Sequence, residues 1–202
     1  MTRETVGALA AAGALLLCSC AKKAYRSPNL EAKNPRSVVV LPFDNETTSL
    51  DAPERLRKMV AERLGHLSPG LSIENVDERL RGVGVTDGGQ LRSVASKKLG
   101  EALGTDGLLY GTVEEFKYQN LGFVSNRVVK LRLKLVHAAS GERLWEAVGR
   151  HAKGNVTLDK KKAGKAFVRG IVRQAAETAL RVPLMRESRR AVEKALRNYP
   201  RR

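Results

Sequence analysis

The chain has 202 residues, with 37 Lys and Arg against 21 Asp and Glu, for a formal charge of +16. That length supports one domain with a sizeable core. No stretch beyond residue 19 approaches the roughly 20 apolar residues that span a bilayer, which excludes a polytopic membrane protein.

Residues Val6 to Leu17, "VGALAAAGALLL", are uncharged and mostly apolar, too few to span and of signal-peptide length. The run ends in Leu17-Cys18-Ser19-Cys20, which resembles a bacterial lipobox, with Leu third and the small Ser last before the cut. Residues 1–19 are therefore expected to be a lipoprotein signal peptide, and Cys20 the lipidated N-terminus of the mature chain. Cys18 fits less well, because Leu17 stands where a small residue is required. A redox pair would use Cys-x-x-Cys spacing, which Cys18 and Cys20 lack. Each buried methylene of an anchor contributes about 0.8 kcal/mol, so one acyl chain holds marginally and several, palmitate among them, hold stably. Ala21 after the cysteine, rather than Asp, favours the outer membrane. The polar, proline-containing stretch 20–36 reads as a flexible tether.

The folded body is expected over residues 37–158. "SVVVLPF" from Ser37 to Phe43 is a short β-branched run closed by turn residues, as in a fully buried strand. Leu56, Met59, Val60, Leu64 and Leu67 follow at helical spacing behind Pro53. "LSIENV" reads as a second strand and "DERLRGVGV" as a helical turn. Leu91, Val94, Ala95, Leu99 and Leu103 line one further amphipathic helix that stops at Gly104. "DGLLYGTVEEFKYQN" is a strand entering from a buried end.

From Val129 to Leu135 the alternation is strict: Val129, Leu131, Leu133 and Leu135 on one side, Lys130, Arg132 and Lys134 on the other. This predicts a strand with an apolar face on a core and a cationic face toward water. "AASGE" makes a hairpin turn, and "RLWEAV" returns beside it. The fold class is thus α/β or α+β, a mixed sheet with helices packed on one face.

Residues 159–202 form a basic helical segment packed on or extending the domain, with fourteen Lys and Arg against three Glu from Lys160 onward. Phe167, Ile171, Ala175, Thr178 and Ala179 mark the buried stripe of a first helix. After Pro183, Leu184, Ser188, Ala191, Val192, Ala195 and Leu196 mark that of a second. Arg186, Arg189, Arg190, Lys194 and Arg197 form a candidate surface for an anionic partner.

The wording "SVVVLPFDNET", "LGEALGTDGLLYGTVEEF" and "LKLVHAASGERLWEA" resembles a family of bacterial lipoproteins of unknown function that includes a meningococcal surface lipoprotein. More distantly the chain is similar to the TolB N-terminal domain, the curli-secretion lipoprotein and the lipoprotein activators of peptidoglycan synthases. They share a strand opening at Val38 to Phe43 with Asn45, and a later pattern at Thr105 to Val113. In the later pattern Asp106 is expected to fill a turn and Gly111 to admit a close neighbour. The resemblance implies an envelope component that binds other proteins and self-associates, and it brings no catalytic residues.

Enzymatic motifs are not found in the sequence. His66, His137 and His151 form no His-Glu-x-x-His pair, no Gly-x-Ser-x-Gly elbow occurs, and "GVGVTDGG" has Asp87 at the third glycine position of a dinucleotide fingerprint. No metal or cofactor is expected. Asp44 and Asn45, leaving the carboxyl end of a central strand, are a candidate loop site, although such residues also make local turn bonds. Few aromatic residues and an exported location argue against nucleic acid as partner.

The expected function is a non-enzymatic binding or accessory component of an envelope assembly or export system, lipid-anchored in the outer membrane and facing the periplasm. Its expected partners are the bilayer, envelope proteins, and anionic lipid, lipopolysaccharide or peptidoglycan. The alternatives are a regulator of peptidoglycan synthesis and, in another class, a periplasmic hydrolase built on His137 or His151.

Overall fold

The computed structural model describes residues 24–65, 71–120, 124–156, 168–169, 171–172 and 184–200. Six strands, β1 (Tyr25–Arg26), β2 (Val38–Val40), β3 (Asp44–Asn45), β4 (Gly107–Asn120), β5 (Val124–His137) and β6 (Arg143–Val156), form one mixed sheet. Its order is β1-β6-β5-β4-β2, with β3 also on β4. The three long strands are an antiparallel meander, while β2 and β3 run parallel to β4. Among the described residues, four full helices accompany it: α1 (Ala52–Leu64), α2 (Ile73–Gly82), α3 (Ser96–Leu103) and α4 (Met185–Leu196), with a 3-10 turn at Gly89–Ser93.

The alternation on β5 places Val129, Leu131, Leu133 and Leu135 in the main core, all essentially without solvent exposure. That core is closed by α1 through Leu56 and Val60 and by α4 through Ala191, Val192 and Ala195. The anticipated second stripe is buried in full, from Leu184 to Leu196. Close approach of α4 depends on Gly149: a Cβ there would overlap the Ala191 carbonyl oxygen and lie 2.6 Å from the Ala195 nitrogen. Trp145 meets Tyr199 edge to face at 5.2 Å, joining β6 to the chain just beyond α4.

A second core lies on the opposite face of the sheet, where Val39, Leu41 and Leu108 meet α2, the 3-10 turn and α3. Helices therefore cover both faces at the β2–β4 end, rather than one. The reason is the period of two: Val38 and Val40 point into one cluster, and Val39 into the other.

Several local expectations are corrected. "LSIENV" is not a strand but the N-cap and first turn of α2, because Ser72 caps the helix by accepting from the Asn75 backbone N–H. Val76 and Leu80, four apart, then bury one face. The single helix expected through Leu91 and Leu103 is split, with Val94 and Ala95 extended between the 3-10 turn and α3. Here Gly88 lies directly against the Phe43–Asp44 backbone and fixes the path of the preceding loop. Gly104 does end α3 in the left-handed region.

The tether expected over 20–36 is packed from Ala24 onward. Tyr25 and Arg26 pair with Glu146 and Trp145, Ser27 donates its N–H to the Leu144 carbonyl, and Leu30 is buried in the main core. Glu142 fastens this stretch, accepting from Ser27 Oγ, Asn29 Nδ2 and Lys33 Nζ. Those donors, Lys33 first, hold its carboxyl down at about 2.

Of the first expected C-terminal stripe, Ile171 is helical but half exposed, against the expectation of burial. Phe167, Ala175, Thr178 and Ala179 lie outside the described residues, as do residues 1–23, His66 and Pro183.

Candidate functional site

Asp106 fills the turn before β4 as anticipated. It accepts from the Arg36 and Ser37 backbone N–H groups and from the Ser37 hydroxyl, which together outweigh burial and keep its carboxyl below the usual range. Gly111 admits the Phe43 ring, whose Cγ would stand 2.7 Å from an added Cβ. These two contacts set where the chain leaves β2 and delivers Pro42 and Asp44 to the second face of the sheet.

There a cleft of about 370 Å³ lies between the 3-10 turn and α3 on one side and β4 to β6 on the other. Its charged lining is Asp44, Arg92, Arg132, Lys134 and Glu146, with Tyr110 beside them. Arg92 is paired with Asp44. Arg132 bridges two carboxylates, Glu114 and Glu146, and Glu114 is also held by Lys130 at 2.6 Å. Burial would raise the Glu114 and Glu146 carboxyls, but these cations and Arg143 more than reverse it and keep both below the normal range.

The face expected to show bare cations to water is thus a neutralised network, because carboxylates arrive from the two neighbouring strands. Glu114 does so from a β-bulge, at the register shift between Val113 and Glu115. Lys134 has no ion pair among the described residues and lies over the Tyr110 ring, 5.0 Å from its centroid. Burial raises the Tyr110 hydroxyl pKa. The cleft has room for a small polar group, with Lys134 as a lining cation that has no ion pair among the described residues.

The two loop candidates are separated. Asp44 lines the cleft, whereas Asn45 accepts from Thr47 and donates to the Ser49 carbonyl, a local turn role.

The five cations of the C-terminal candidate surface are all exposed on or just after α4. Arg186, Arg189, Arg190 and Arg197 have no ion pair among the described residues, and Lys194 donates only to the Arg150 carbonyl at 3.0 Å. Beside them an open groove of about 560 Å³ separates α1 from α4, floored by Met59, Met185 and Val192. Arg55, Lys58, Arg63 and Arg189 rim it. Sequence reasoning did not find this groove, whose floor mixes two helices that are distant in the chain.

His137 shares a 3.0 Å hydrogen bond with the Ser140 hydroxyl inside the hairpin turn. His151 lies opposite Val129, eight positions along β5 from His137 and roughly 27 Å away at strand rise. Among the described residues no three His, Cys, Asp or Glu are grouped to hold a metal, and no helix is long and apolar enough to cross a membrane.

Inside the α4 contact, Arg127 and Glu187 form a buried pair at 3.5 Å, with the Arg127 guanidinium 4.5 Å from the Tyr118 ring centroid. Glu187 sits in the first turn of α4, where a carboxylate also favours the helix dipole.

A family model described as "Putative lipoprotein GNA1162-like" matches residues 25–188. The "Putative lipoprotein NMB1124/NMB1162" of Neisseria meningitidis serogroup B is 27% identical over 177 residues, 84% of this chain and 80% of that protein. The crystal structure of lipoprotein GNA1162 from Neisseria meningitidis superposes with a TM-score of 0.55 at 24% identity, covering 71% of this chain and 99% of that one. The LpoB C-terminal domain of Salmonella enterica gives a TM-score of 0.39 at 19% identity, over 58% of this chain and 83% of that one.

Proposed function

Since the chain belongs to the GNA1162-like lipoprotein family, and is thereby a membrane-anchored envelope protein, we propose that it acts there by binding other envelope components rather than by catalysis. In this reading Cys20 carries the acyl chains, the anchor lies in the outer membrane, and the body faces the periplasm as an accessory part of an assembly or export system.

The observation that carries the binding role is the set of exposed cations Arg186, Arg189, Arg190, Lys194 and Arg197, which have no acidic partner among the described residues. On the cleft face of the sheet most cations are matched by carboxylates; on α4 these are not. Unmatched cations held on a packed helix are a standing field for an anionic partner, whether acidic protein, lipid or cell-wall polymer.

Two measurements test this. Cys20→Ser is expected to abolish acylation, seen as loss of the fatty-acyl mass, and to move the protein out of the membrane fraction; an unchanged distribution overturns the anchor. Crosslinking in intact cells followed by mass spectrometry is expected to return a recurrent envelope partner. Replacing Arg186, Arg189, Arg190 and Arg197 together by Gln should weaken membrane or cell-wall association at low salt, and unchanged association would overturn the electrostatic role.

A further inference from the structure

Two facts about the described chain bear on how the body sits on its membrane. First, the body begins early: Tyr25 lies opposite Glu146 and Arg26 opposite Trp145, so ordered sheet starts only a few residues after Cys20. Three residues separate Cys20 from Ala24, and at full extension the four Cα-to-Cα steps between them reach about 14 Å. A body on so short a leash cannot turn freely, and the side from which the chain enters must stay near the bilayer.

That side is defined by the register. Because β1 is antiparallel to β6, the chain arrives from the direction in which β6 runs on to Gly149 and Arg150, along the outer edge of the sheet.

The second fact is where the unmatched cations fall. Arg186, Arg190, Lys194 and Arg197 recur at steps of four, four and three, a single stripe along α4. Lys194 donates to the Arg150 carbonyl, which fixes this stripe on the β6 side, while Glu193 pairs with Arg63 of α1 on the opposite flank. Arg26 of β1 donates to the Asn198 carbonyl and ties the entering strand to the end of the same stripe. Neither acid of α4 answers it: Glu193 is turned to α1, and Glu187 is buried with Arg127. The edge nearest the anchor is therefore the edge with a one-sided positive charge.

We propose that this flank of α4 and the adjoining β6 edge lie against the anionic phospholipid surface in which the chain is anchored. The proposal rests on acylation of Cys20 and adds to it a fixed orientation. The acyl chains hold the body at the surface, and the stripe, within a Debye length of the headgroups, selects which side faces them. The opposite side then points away from the bilayer, so that α3 and the mouth of the cleft are presented to soluble partners.

The test uses the full acylated chain in vesicles of phosphatidylcholine with about one-third phosphatidylglycerol, and in pure phosphatidylcholine. A fluorophore is placed at Arg190→Cys on the stripe or at Lys98→Cys on exposed α3, and a headgroup spin-labelled lipid serves as quencher. Quenching at position 190 is expected to exceed that at position 98 at least threefold on the anionic vesicles. The difference should shrink to below about 1.5-fold in pure phosphatidylcholine, at high salt, or when Arg186, Lys194 and Arg197 are changed to Gln. Equal quenching at the two positions while the chain still floats with the vesicles would overturn the orientation and leave acylation standing. Failure of the unmodified chain to float, with no acyl mass on it, would overturn both.

Discussion

The two faces of the central sheet are built from one alternating strand and end as opposite environments. On one face Leu131, Leu133 and Leu135 disappear beneath α1 and α4. On the other, Lys130 and Arg132, one residue away in sequence, are met by Glu114 and Glu146 from the neighbouring strands, and Lys134 by the Tyr110 ring. The first face is held by volume and the second by charge matching. Errors of shape should cost far more than errors of charge.

The largest expected effect comes from emptying the dry face. Leu133→Ala is expected to lower stability by about 2–5 kcal/mol in urea unfolding, since the site is fully buried and closed by two helices. Overfilling the same face is next: Gly149→Ala should cost about 1–3 kcal/mol, because the new methyl meets α4 backbone that cannot rotate away. It should also loosen α4, read as faster amide exchange at Ala191 to Leu196. On the charged face, Arg132→Met is expected to cost less than about 1 kcal/mol, as Arg132 is 39% exposed and Glu114 and Glu146 each retain a second cation. A loss equal to that of Leu133→Ala would break the comparison.

The smallest effect is visible only in acid. Glu142 has its carboxyl lowered from 4.5 to about 2, so its contribution is complete above 4.5 and is lost as the pH falls from there toward 2. Glu142→Gln should therefore flatten the acid limb of stability over that interval and, among the residues it ties down, release Lys33 and Asn29. An unchanged limb would mean that other carboxylates govern acid unfolding.

Much of this was legible before any coordinates. The periodicity at Leu56 to Leu64, the alternation at Val129 to Leu135, the stop at Gly104 and the buried stripe from Leu184 to Leu196 are all one-element patterns, and each is found where the sequence puts it. "LSIENV" misled because six residues with three apolar ones satisfy a strand as well as a helix, and the deciding Ser72 cap lies inside them. The stretch after Ala24 read as a tether because its polar residues are satisfied by Glu142, more than a hundred positions away.

The candidate site divides along the same line. That Arg186, Arg189, Arg190, Lys194 and Arg197 are exposed follows from the stripe that alternates with them. That Arg132 is neutralised while those five are not depends on strand register and on a bulge at Glu114, neither of which composition encodes. Sequence by itself determined the mixed α/β class, the apolar side of each regular element and the excess of positive charge, because local spacing decides which side chains share a face. Only the tertiary structure decided which charges are matched, that helices lie on both sides of the sheet, and that the entering strand and the basic flank of α4 share one edge, because pairing between distant segments is settled by packing in space.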